Sequence, residues 1–193
     1  MDNFILYFKL GLNHVLDILA YDHVLFIIVL TIIYNFNQWK KVVWLITFFT
    51  LGHSMSLGLA AYDIVHVPVK IVEFLIPVTI CITGFYNILR PSRPSGGKEK
   101  IIFSFALFFG LVHGLGFSNY FRLLIGKEDD KILPLIEFAF GIEAAQVVVV
   151  LCILILGMLL QNIFRVSKRD WILVGSSIVI GIAFPMVINR IFW

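Results

Sequence analysis

The sequence predicts an all-α polytopic membrane protein: a bundle of six transmembrane helices preceded by an amphipathic N-terminal helix. Three observations carry this. The 193 residues are 60% hydrophobic with a mean hydropathy of +0.98. Only 14% are charged, where a soluble domain carries about a quarter. Six apolar stretches, each near the roughly 20 residues a span needs, are separated by short polar loops.

The expected spans cover about 23–39, 42–62, 70–89, 101–121, 133–160 and 171–192, within one membrane domain of residues 1–193. Ahead of them, Phe4, Ile5, Phe8, Leu12, Val15, Leu16 and Leu19 recur at helical spacing. Residues 2–20 therefore read as an interfacial or re-entrant helix, because a span there would bury Lys9 and Asp17. The same charged residues leave no clean apolar stretch for a cleavable signal peptide. Proline, glycine and charge mark the loops Arg90–Lys100 and Gly126–Lys131. Cys81 and Cys152 each sit inside an apolar run without a CxxC partner, so no disulfide is expected. Trp39, Trp44, Trp171 and Trp193, near span ends, read as an interfacial belt. The net charge of +3 is dispersed and gives no nucleic-acid surface.

Lysine and arginine near the span ends number nine on the side of Lys40, Arg90 and Arg165, against six on the other. The first side is expected to be cytoplasmic and both termini extracytoplasmic. A reporter fused into the Arg90–Lys100 loop is expected to read as cytoplasmic; an extracytoplasmic signal there reverses the map. In this orientation Asp22, His23, His53, Glu73, His113, Glu143 and Gln146 all fall in the outer half of the bilayer.

Ionisable side chains in hydrocarbon are costly, and by default they mark function. His53 and His113 occupy matched segments, Phe-Phe-x-Leu-x-His, and together favour a bound metal over two separate interhelical hydrogen bonds. The matched segments also suggest a weak internal repeat, with spans two and three echoing spans four and five. His14 and Asp17 share a helical face, and Asp22 and His23 open the first span, where Asp22 alternatively serves as a helix cap. Nitrogen and oxygen ligands of this mix suit zinc, nickel or cobalt. Glu143 and Gln146 lie three apart on one face of span five. Glu143 reads as a metal ligand, a proton relay or a partner orienting a histidine. Glu73 and Glu137 lie nearer the surface, and His66 falls in an exposed loop.

The order His14…Asp22-His23, Leu-Gly-His53-Ser-x-Ser-Leu, Val-Glu73, Gly-Leu-Val-His113-Gly-Leu-Gly and Gly-Ile-Glu143-x-x-Gln146 resembles the HupE/UreJ family. These are small bacterial membrane proteins linked to nickel and cobalt supply. The resemblance covers about residues 11–150, with seven residues between His14 and Asp22, a longer gap than in the best-described members. It implies an inner-membrane permease for nickel or cobalt. His14, Asp22, His23, His53, His113 and Glu143 would hold the ion, with Asp17, Glu73 and Gln146 behind them. The alternative is a zinc-dependent membrane hydrolase acting on a lipid-like substrate, with the same cluster activating water and Asp22 and Glu143 as candidate catalytic acids. A metal-stabilised scaffold is a third reading. The partners expected are the metal ion and membrane lipids, and a homo-oligomer is compatible with the sequence.

Overall fold

The computed structural model describes residues 2–17, 21–91, 99–125 and 131–192. Most of the loops Arg90–Lys100 and Gly126–Lys131, and Trp193, lie outside the described residues. The described chain is helical, with no strand among the described residues. In order it forms α1 (Asp2–Leu16), α2 (Asp22–Thr31), α3 (Trp39–Ala61), α4 (Val69–Leu89), α5 (Glu99–Ile125), α6 (Ile132–Asn162) and α7 (Lys168–Asn189), with a short 3-10 turn, Phe36–Gln38, before α3. Five helices, α3 to α7, are long and apolar enough to cross a membrane.

The first expected span is shorter than the sequence suggested. The apolar run from His23 ends as helix at Thr31, and α2 has 10 residues, about 15 Å, half a bilayer core. Beyond it Asn35, Asn37 and Gln38 interrupt the run. Gln38 takes the Asn35 amide N–H at 3.2 Å, stabilising a turn where a continued helix was expected. Nearly all of α2 is buried, including Leu25, Phe26, Ile27, Val29 and Leu30, which explains why it is apolar on every face. Its last-turn carbonyl at Val29 accepts from Asn87 Nδ2 at 2.7 Å, satisfying one of the acceptors that a helix end leaves open. Asn87 also reaches Ser176 at 3.4 Å, so it ties α2, α4 and α7 together.

Two helix pairs meet at backbone distance. A side chain at Gly52 or Gly110 would overlap a carbonyl across the α3–α5 contact, those of Leu107 and Phe49 respectively. A side chain at Gly11 or Gly141 would overlap the carbonyls of Phe138 and Phe8 across the α1–α6 contact. Small residues let helices approach this closely in a membrane, where packing rather than the hydrophobic effect drives association. Each contact sets a glycine of one helix against a backbone carbonyl of the other, in both directions. Gly110 faces the Phe49 carbonyl and the His53 nitrogen, and Gly11 faces the Phe138 carbonyl and the Ile142 nitrogen. The local sequences agree: Gly11-Leu12-Asn13-His14 with Gly110-Leu111-Val112-His113, and Phe138-x-x-Gly141 with Phe49-x-x-Gly52. The two Phe-Phe-x-Leu-x-His segments are packing partners across the α3–α5 contact, in which the helices run parallel, whereas α1 and α6 run antiparallel.

The outward faces are apolar. Trp44, Met55, Ile82, Phe105, Phe108, Leu123 and Phe140 are exposed along the spans, as lipid contact requires. Trp39 and Trp44 are exposed, whereas the Trp171 ring packs over Gly157. Cys81 and Cys152 are both free thiols.

Candidate metal centre

Four histidines from four helices meet where the two close-packed pairs enclose the start of α2. His14 comes from α1, His23 from the first turn of α2, His53 from α3 and His113 from α5. The His23 ring lies 4.5 Å from His14, 5.8 Å from His53 and 5.3 Å from His113, centroid to centroid, and His14 lies 5.5 Å from His53. One ring nitrogen from each of His14, His23 and His53 falls within 4.8 Å of the others. His23, His53 and His113 are buried, His53 completely.

Hydrogen bonding decides which nitrogens are available. His23 Nδ1 is 3.1 Å from Asp22 Oδ1, and His113 Nδ1 is 2.8 Å from the Phe109 carbonyl oxygen. Both acceptors require an N–H at Nδ1, which places the lone pair on Nε2. Nε2 of His14, His23 and His113, and both ring nitrogens of His53, are buried without a partner. An unpaired buried polar atom costs about 1–3 kcal/mol. A neutral imidazole has one lone pair, so the four histidines offer four, which fit a cation that accepts them. The Asp22–His23 arrangement matches the carboxylate–histidine pair that orients metal-binding imidazoles.

Aromatic rings wall the cluster. Phe26 and Phe49 lie 5.0 and 5.1 Å from His113, and Phe117 lies 4.1 Å from His14 and stacks on Phe138 at 5.3 Å. On the α1–α5 side a cleft of about 610 Å³ reaches His14, lined also by Asn13, Asp17, Phe117 and Tyr120. A small ion could enter there past Asp17.

The acids divide. Asp22 accepts from the His23 backbone N–H at 2.9 Å as well as from its ring, so it acts on the cluster through His23. Its other oxygen lies 3.6 Å from Arg190 Nη1, at the end of α7, and Arg190 also donates to the Glu73 carbonyl at 3.1 Å. Glu73 itself is exposed and contributes only that carbonyl. Glu143 and Gln146 face α3 below the cluster: Glu143 Oε1 accepts from Thr47 at 2.6 Å and Gln146 Oε1 from Thr50 at 3.0 Å. Glu137, expected near the surface, is buried with Oε2 unpartnered. His66 is exposed and pairs with Asp63 at 3.3 Å.

Sequence reasoning missed Arg190, Phe117, Thr47 and Thr50. Arg190 lies far along the chain from the cluster, and threonines in membrane helices are common packing residues. Replacing Asp22 by asparagine removes the charge on His23 while keeping an acceptor. Cation affinity is expected to fall roughly 10–100-fold with the fold intact, read by equilibrium dialysis against Ni²⁺.

The fold and site define a small helical membrane protein with a buried four-histidine cluster reached from one side. A family model described as HupE / UreJ protein matches residues 1–190. The chain belongs to that family. No curated protein and no solved structure matches it.

Proposed function

We propose that the protein is a permease for a divalent transition-metal ion, nickel or cobalt, which it carries as substrate. The observation that carries this reading is the convergence of unpartnered imidazole nitrogens from His14, His23, His53 and His113. Imidazole suits nickel and cobalt, and the family links the chain to these metals. His23, held by Asp22, and His113, held by the Phe109 carbonyl, arrive pre-oriented. His53 supplies a third nitrogen from the most buried position, and His14 stands at the cleft where the ion would enter. Arg190 beside Asp22 keeps the site's net negative charge low, which favours a cation held loosely enough to leave.

A zinc hydrolase would use the same nitrogens and need a carboxylate to move protons. Asp22, the acid adjoining the cluster, is occupied by His23 and Arg190, and Glu143 sits apart on Thr47. This arrangement favours carriage over hydrolysis. The test is Ni²⁺ and Co²⁺ uptake into vesicles containing the wild type or His53→Ala/His113→Ala. Uptake is expected in the wild type and is expected to be lost in the double variant. Equal uptake in both sinks the proposal.

A further inference from the structure

We propose that Thr47, Thr50, Glu143 and Gln146 form a second cation-binding station, separate from the histidine cluster, in the middle of the α3–α6 seam. The inference rests on the transport reading and names where the ion goes next.

The geometry starts from His53. Thr50 lies one turn away on α3 and Thr47 two turns, about 4.5 and 9 Å along the axis. Each meets a polar residue of α6, Gln146 at 3.0 Å and Glu143 at 2.6 Å. Thr50 is at the centre of α3 (39–61), and Gln146 is at the centre of α6 (132–162). The polar rungs therefore continue the cluster toward mid-membrane.

The rungs are only half satisfied. Gln146 is completely buried, and its Nε2 has no partner. Glu143 Oε2 is likewise buried and unpartnered. Thr47 Oγ lies within bonding distance of both the Val43 carbonyl, at 3.0 Å, and Glu143, and its single proton serves one of them. A seam built only to hold two helices would close these bonds internally. Turning the Gln146 amide by half a turn lets Nε2 donate to Thr50 and frees the carbonyl oxygen. The seam then offers a carboxylate, an amide oxygen and two hydroxyls on adjacent turns. This donor set is all oxygen, and it suits a hard divalent cation. It holds nickel or cobalt more weakly than imidazoles do, as a station after a nitrogen cluster must if the ion is to move on.

The probe is Mn²⁺, which oxygen ligands favour, followed by electron paramagnetic resonance on the full chain in detergent. Mn²⁺ binding is expected in the wild type and in His53→Ala/His113→Ala. In Glu143→Gln, which keeps shape and removes charge, it is expected to weaken roughly 10–100-fold. Co²⁺ at the histidines, read by its visible absorption, should persist in Glu143→Gln and show that the variant is folded. Mn²⁺ binding that is absent from the wild type, or unchanged in Glu143→Gln, overturns the station. Vesicle uptake separates the two claims. Normal uptake by Glu143→Gln removes the station from the route. If even the wild type takes up no metal while the Mn²⁺ pattern holds, the transport reading alone is lost.

Discussion

Replacing His53 by leucine is expected to abolish reversible Ni²⁺ and Co²⁺ binding at the histidine cluster and, without metal, to leave the protein as stable as the wild type or more so. The reasoning is local. His53 is fully buried, and neither ring nitrogen has a partner. Leucine fills similar space and removes two unsatisfied atoms, each worth about 1–3 kcal/mol. A histidine kept for structure would behave oppositely, because its loss would break a bond. Added metal should raise the melting temperature of the wild type but not of the variant. At a ligand concentration 100 times Kd that stabilisation is about 2.7 kcal/mol. Thermal unfolding in detergent, with and without Ni²⁺, reads both effects. A variant that melts well below the metal-free wild type contradicts this account of His53.

The largest expected structural effect comes from Gly110→Ala. The added methyl would overlap the Phe49 carbonyl oxygen and press on the His53 backbone nitrogen, 3.0 Å away. Both obstacles are helix backbone, which cannot rotate aside as a side chain can. The α3–α5 pair must separate, and with it His53 from His113, which these helices carry. Overpacking of this kind costs about 1–3 kcal/mol, occasionally more. Metal affinity is expected to fall with stability, although no ligand is altered. Gly58→Ala is the control, because its new methyl would meet only the end of the Leu135 side chain, at 3.1 Å. If Gly110→Ala melts and binds like the wild type, the close helix contact is not what assembles the cluster.

The helical bundle and the four histidines were legible in the sequence for one reason. Apolar runs without charge stand out, and imidazoles inside them carry a cost that demands a use. Counting along the spans brings His23, His53 and His113 to one height, as their rings meet. It fails for Glu143, which meets Thr47, two turns from His53 on α3. The early end of α2 was hidden because Ile32 and Ile33 continue the apolar run past the last helical residue. Arg190 carried no signal, since an arginine after the last span reads as a topology charge.

The most direct measurement is a Co²⁺ titration of the purified wild type and His53→Ala/His113→Ala, followed by visible absorption and reversed by dialysis. The account predicts about one Co²⁺ per wild-type chain with the intense bands of a nitrogen-ligated, near-tetrahedral ion, removable by dialysis and absent from the double variant. Identical spectra for the two proteins, or no Co²⁺ bound by the wild type, would contradict a cation site built from these histidines.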